Sequence, residues 1–287
     1  MPSPYPEYIA QIAAIVDQMR GAYPVETAPA PRPALAADAP VALVLSPHPD
    51  DECIIGGWAL RLLRESGYRV VNVAITQGSA KDRQLARAEE LRGACDFLGF
   101  ELVQFGDRGL ESINPKGREA NHTAWCHSVD ALGAVIADHQ PEVVFMPHLH
   151  DWNQTHIGTH LLGVDALTLM PLDYTCRVVE TEYWGAMADP NMMVESSASD
   201  LADLLTALSF HVGEISRNPY HIRVAPWMID NVRRGAEVVG GQGGAAPDFT
   251  FATLYRLREW RNRQLEAIDI TSPFIAATDD PAALLKA

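Results

Sequence analysis

VALVLSPHPDDE, residues 41–52, decides how the rest of the chain is read. VALVLS at 41–46 is a short, wholly apolar strand, the pattern of a strand covered on both faces, as in a parallel sheet. Pro47-His48-Pro49-Asp50-Asp51-Glu52 follows at once. In open parallel sheets ligands bind outside the carboxyl ends of the strands. One imidazole and two carboxylates within residues 48–51 are costly to bury unless they bind something. A metal removes that cost, and a histidine with a carboxylate suits zinc.

Working outward, short strands alternate with helices. Trp58 to Glu65 reads as a helix, 70–76 as a strand, and Arg83 to Leu98 as a helix stopped by Gly99. Strands at 101–105 and 142–146 flank a helix from Thr123 to Asp138. His156 to Thr168 reads as a helix and 176–184 as a strand. The alternation predicts an α/β fold, Rossmann-like, with a mostly parallel sheet and helices on both faces. Residues 199–215 read as a helix, 240–244 (GGQGG) as a flexible loop, and 251–268 as a helix or as a strand then a helix. The expected organisation is a helix (7–20) and a Pro/Ala-rich linker (24–40) within 1–40, one domain over 41–272, and a loosely held tail over 273–287.

A second cluster, His148-Leu-His150-Asp151-Trp-Asn153-Gln-Thr-His156-Ile-Gly-Thr-His160, follows another buried strand and belongs to the same sheet edge. One segment supplies His and Asp, the other His, which makes three ligands with a fourth position open for water. His148 and His150 alternate, so one of them faces the site. Asp151 is a partner that orients a ligand histidine or a helix cap. His160, four residues after His156, shares its helix face and is either a partner standing behind the ligands or a satisfied core histidine.

PHPDDE with Gly56-Gly57 and the later D-x-N-x-T-H resemble the LmbE/PIG-L family of zinc-dependent deacetylases, which remove N-acyl groups, mostly acetyl, from amino sugars. The resemblance covers roughly residues 40 to 240. It implies zinc ligands His48, Asp51 and His156 and a catalytic base Asp50. It further implies a Thr-x-Gly turn at Thr76, a substrate-holding Arg87 with a structural Glu90, and a sugar-contacting Asp107. Many sugar deacetylases of the family place a histidine where Asn153 stands, and a late Lys and Ser-Gln stretch is replaced here by residues 203–214. Asn153 is an oxyanion donor or a helix cap.

The resemblance implies Zn2+ or a similar divalent metal as cofactor and a small N-acyl amine, an amino sugar first, as substrate. An amidase acting on a larger acylated conjugate and a non-catalytic zinc-binding protein are the alternatives. The net charge of −15, from 37 acidic and 22 basic residues, argues against nucleic acid and anionic membranes as partners. No membrane span is expected, a homo-oligomer is left open, and the four cysteines lack a CxxC pair, which fits a reduced cytoplasmic chain of small buried thiols. Cys53 adjoins the motif and is a candidate lining residue. Trp184, His211 and Tyr220 read as core or surface residues, with pocket lining as the lesser reading.

Overall fold

The computed structural model describes residues 2–20 and 34–285. Its first half contains α1 (Tyr5–Met19), β1 (Val41–Ser46), α2 (Asp51–Ile54), α3 (Trp58–Glu65), β2 (Arg69–Ala74), α4 (Gln84–Leu98), β3 (Glu101–Gln104), α5 (Pro115–Ala120), α6 (His122–His139) and β4 (Val143–Pro147). The second half contains α7 (Gln154–Leu167), β5 (Cys176–Thr181), β6 (Met192–Glu195), α8 (Ala198–Leu208), α9 (Val212–Arg217), α10 (Val224–Val238), β7 (Ala252–Arg261), β8 (Gln264–Ala267) and β9 (Phe274–Ile275).

One sheet runs β3-β2-β1-β4-β5-β7-β6-β9, with β8 paired to β7. β3, β2, β1, β4 and β5 are mutually parallel, as expected of βα units. β7 then runs antiparallel between β5 and β6. The period of two along a strand explains the two-sided core. Val41, Leu43 and Leu45 face one layer, with Leu132 and Ile136 of α6 and Leu162 and Ala166 of α7. Ala42 and Val44 face the other, with Trp58 and Leu62 of α3, Leu91 of α4 and Leu204 of α8. The expected α/β fold with a mostly parallel sheet and helices on both faces is therefore what the chain adopts.

The parallel ladder sets the site. β1, β2, β4 and β5 all end on one edge, and the segments leaving them carry Pro47–Glu52, Thr76–Gly78, His148–Asn153 and Glu182–Gly185. Gly99 closes α4 in the left-handed conformation at φ +83, the position glycine takes without a Cβ clash.

Three expectations need correction. Residues 251–268 contain no helix: β7 and β8 form an antiparallel hairpin turned at Asn262 and Arg263, both at positive φ. The helix expected over 199–215 breaks at Ser209–His211 into α8 and α9. The tail after residue 272 is anchored. β9 pairs with β6, Trp58 Nε1 donates to the Pro281 carbonyl, and Ala282 and Leu285 are buried. Within the late region, β6 and α10 are elements that the sequence pattern did not disclose.

The linker expected over 24–40 falls largely outside the described residues. α1 forms as an amphipathic helix whose apolar side is uncovered, with Ile9, Ile12 and Ile15 exposed. Cys53, Cys95 and Cys176 are buried free thiols and Cys126 is half-buried. No helix among the described residues is long and apolar enough to cross a membrane.

Candidate metal centre

Asp51 stands at the start of α2, and its Oδ2 accepts from the His48 backbone N–H at 2.8 Å. The same oxygen lies 3.4 Å from His48 Nδ1 and 3.4 Å from His156 Nε2. His156 enters from the first turn of α7, after β4. One ligand atom from each of the three residues falls within 4.8 Å of the others. His156 is fully buried, yet neither of its ring nitrogens has a hydrogen-bond partner. A buried imidazole without partners is costly unless something ligates it. Two imidazoles and one carboxylate are a donor set that zinc takes with a fourth position open. The residues therefore fit the metal. His48 is only partly buried, so the cluster opens to the cleft on that side.

Electrostatics bind the three together before any metal arrives. Burial alone would raise the Asp51 carboxyl, but the adjacent His156 ring, and with it His48, outweigh burial and hold it well below the usual range. Burial alone would lower His156, but the Asp51 and Asp151 carboxylates push it up to about 9.

Asp50 points elsewhere. Its backbone sits at φ +113 and ψ −26, a conformation that costs a non-glycine residue about 1–3 kcal/mol. Its N–H donates to Glu52 Oε2 at 3.0 Å, and Glu52 Oε1 accepts from His211 Nε2 at 2.7 Å and from Cys53 Sγ at 3.2 Å. Glu52 and His211 are fully buried, so this chain of bonds fixes the strained turn from below. Asp50 itself is buried and lines the cleft, and burial, then the charge of Asp51, raises its carboxyl well above the usual range. The following Gly56, at φ +85, passes so close to Thr253 that a Cβ would lie 2.1 Å from its Oγ1.

Asp151 stands behind His156. Its Oδ2 is 3.6 Å from His156 Nδ1 and accepts from the Trp184 N–H at 3.2 Å, and its Oδ1 accepts from the Asn153 N–H at 2.8 Å. Asn153 caps α7, its Oδ1 accepting from the Thr155 N–H at 2.9 Å. It lines the cleft as well. Among the described residues its side-chain amide nitrogen has no partner, so one end of the group caps while the other is available.

The remaining expected residues divide. Arg87 is buried at the cleft, where Nη2 donates to the Pro49 carbonyl at 2.9 Å and Nη1 lies 3.8 Å from Glu214. It braces the motif and lines the cleft. Thr76 holds the motif too, its hydroxyl donating to the Pro47 carbonyl at 2.7 Å. Glu90, 3.9 Å from Arg83, is structural. His148 and His160 are buried on backbone carbonyls, of Gly185 at 2.7 Å and Pro147 at 2.9 Å, and His150 is exposed. None of these three joins the cluster. Asp107 is exposed and is not among the residues that line the three cavities described around the cluster. Cys53 likewise lines none of them.

Trp184 and Tyr220 do line the cleft, as do Glu214 and Arg217, which the sequence reading missed. Glu214 collects Arg83 at 3.2 Å and Arg217 at 2.5 Å beside Arg87. The one signal for them was the departure from the family pattern over 203–214. The cleft at Asp50 encloses about 150 Å3, and a polar groove of about 340 Å3 adjoins it at His48.

Residues 43–167 match the family model described as PIG-L, GlcNAc-PI de-N-acetylase, which bears out the resemblance read from the motifs. A diacetylchitobiose deacetylase of Thermococcus kodakarensis is 29% identical over 146 residues, 45% of this chain and 50% of that protein. The match thus spans half the length of that relative. Among solved structures, GalB, the 4-carboxy-2-hydroxymuconate hydratase of Pseudomonas putida, has a TM-score of 0.56 at 20% identity over 76% of this chain and 95% of its own. The N,N'-diacetylchitobiose deacetylase of Pyrococcus horikoshii has a TM-score of 0.54 at 17% identity over 77% and 84%. At these identities the structural likeness shows the fold.

Proposed function

We propose that this chain is a zinc-dependent hydrolase that removes an N-acyl group from an amino sugar or an amino-sugar conjugate. The observation that carries the reading is the His48–Asp51–His156 cluster, with the unpartnered nitrogens of His156, opening on a cleft that Asp50 lines. The family match over 43–167 and the sugar-deacetylase relative favour an amide of an amino sugar. The polar groove supports it, since Ser79, Lys81, Gln84, Ser112 and Asn114 offer hydroxyl, amine and amide partners to a polyhydroxylated ring. The deacetylase names make acetyl the first acyl group to test.

His48, Asp51 and His156 would hold zinc, which when bound would supply the Lewis acidity that activates a water and polarises an amide carbonyl. Asp50 takes the proton of the attacking water. It is adjacent to a ligand but set apart from it by its left-handed turn, and from the cleft wall it is placed to pass that proton on to the leaving amine. Asn153 offers its amide N–H to the oxygen on which charge develops, and the cap made by its Oδ1 fixes that amide before substrate arrives. Asp151 orients His156, and Glu52 with His211 orients Asp50. An intact Asp50 weighs against a purely zinc-binding protein. Release of free amine from a panel of N-acyl amino sugars by the zinc-loaded chain tests the reading.

A further inference from the structure

The cleft at the metal cluster has two unlike neighbours. The polar groove lies on the His48 side. A second cavity of about 120 Å3 is walled by Ile54, Tyr183, Trp184, Tyr220, Val224 and Trp227, with Arg223 its single charged residue. Trp184 and Tyr220 line both this cavity and the cleft, their rings 5.2 Å apart. Tyr183 meets the His156 ring edge-on at 4.7 Å. The apolar cavity therefore begins one aromatic ring away from the metal cluster, and no step proposed above uses it.

An amide has two halves, and with its carbonyl at the cluster they leave in different directions. A hydroxyl-rich amine finds partners in the polar groove and almost none among these aromatic walls. An acyl chain has the opposite preference. A methyl group would leave most of the cavity empty, whereas a dry cavity of about 150 Å3 is known to hold benzene. We propose that the aromatic cavity receives the acyl chain, and that the preferred acyl group is an alkanoyl or aroyl group of about four to eight carbons rather than acetyl. This rests on the N-acyl hydrolase reading. In the step itself the water oxygen bonds to the acyl carbon, the C–N bond breaks, and the water's protons end on the amine and the acid. The products are a longer carboxylic acid and the free amine.

The test uses the zinc-loaded full chain and glucosamine carrying N-acetyl, N-butanoyl, N-hexanoyl or N-benzoyl groups, with the benzyl glycoside of N-acetylglucosamine as control. Free amine is followed. Each methylene buried in an apolar site is worth about fourfold, so kcat/KM should rise from acetyl to hexanoyl by about 10²-fold. Val224→Phe, which fills the cavity, should cut the hexanoyl-to-acetyl ratio at least about tenfold. Trp227→Leu, which removes a wall, should also lower that ratio and serves if the first variant folds poorly. Hexanoate should inhibit at lower concentration than acetate. Cleavage of the acetyl substrate with no gain for the longer chains, or a gain confined to the benzyl glycoside, overturns the assignment and leaves the hydrolase reading standing. No amine from any substrate overturns both.

Discussion

Asn153 holds two jobs that one pair of substitutions can separate. Its Oδ1 caps α7 by accepting from the Thr155 N–H at 2.9 Å, while its amide nitrogen, without a partner among the described residues, belongs to a side chain that lines the cleft. Serine is as good a cap as asparagine but cannot carry an N–H into the cleft. Asn153→Ser should therefore keep thermal stability within a few tenths of a kcal/mol and the bound metal in full. It should lower kcat by about 10²–10³, the loss of about 2.7–4 kcal/mol seen when one preorganised oxyanion donor is removed. Asn153→Ala should show the same kinetic loss and, on top of it, about 1 kcal/mol less stability. Initial rates at saturating substrate, urea unfolding and metal analysis on the same preparations give the three readings. If Asn153→Ser turns over within a few-fold of the parent, and Asn153→Ala loses only stability, the residue is a cap and nothing more.

Asp50→Asn should retain zinc and lose about 10²–10⁴ in rate, whereas Asp51→Asn should lose zinc first; the opposite pattern in metal analysis would reverse the two roles. Metal and proton compete for His156, whose pKa is pushed up to about 9 by Asp51 and Asp151 against burial. Only the deprotonated ring ligates, so zinc affinity by chelator competition should rise about tenfold per pH unit up to about 9, and a flat profile would refute the competition. The sign for the metal-free fold is opposite: a raised histidine stabilises fully below its unfolded pKa near 6.5, and that contribution fades as pH climbs towards about 9. His211→Phe strips the buried Glu52 of its 2.7 Å donor and should cost about 3–5 kcal/mol in urea unfolding; a loss under about 1 kcal/mol would mean that Glu52 does not depend on it.

The sequence disclosed the half of the fold whose strands are continuous apolar runs. VALVLS, VVNVAIT and EVVFM cannot be solvated on either face, so their place in a parallel sheet follows from composition alone. The edge that carries the cluster was legible for the same reason, because the polar segments stand directly after those runs. The later half hides its pattern. β7 mixes aromatic residues with Arg256 and Arg258, a pattern that left helix and strand open, but both arginines lie against Glu180 of β5, and the hairpin turns on Asn262-Arg263 without a glycine to announce it. α10 starts at Val224, after Arg223, which supplies no side-chain cap. The break before α9 falls at His211, where no Gly or Pro marks it; that residue is instead drawn in by Glu52, 159 positions away. The tail is held by Trp58 and Arg61 donating to backbone carbonyls of Pro281 and Asp279, bonds that leave no trace in the tail's own residues. Within the site the His-Asp-His set and Asp50 were legible because motif and strand end coincide. Glu214, Arg217, Trp184 and Tyr220 reach the cleft only through tertiary packing, and Asp107, placed by resemblance at a strand end, lies exposed on its turn.

Free amine and free acid released from N-acetyl- and N-hexanoylglucosamine by the zinc-loaded chain, measured before chelation, after chelation and after zinc is restored, test the central claim most directly. The two products should appear one to one, stop on chelation, return with zinc, and be absent or reduced at least about 10²-fold in Asp50→Asn that still holds its metal. A fully metallated chain that releases no amine, or a chain that hydrolyses these amides at full rate without metal, would contradict it.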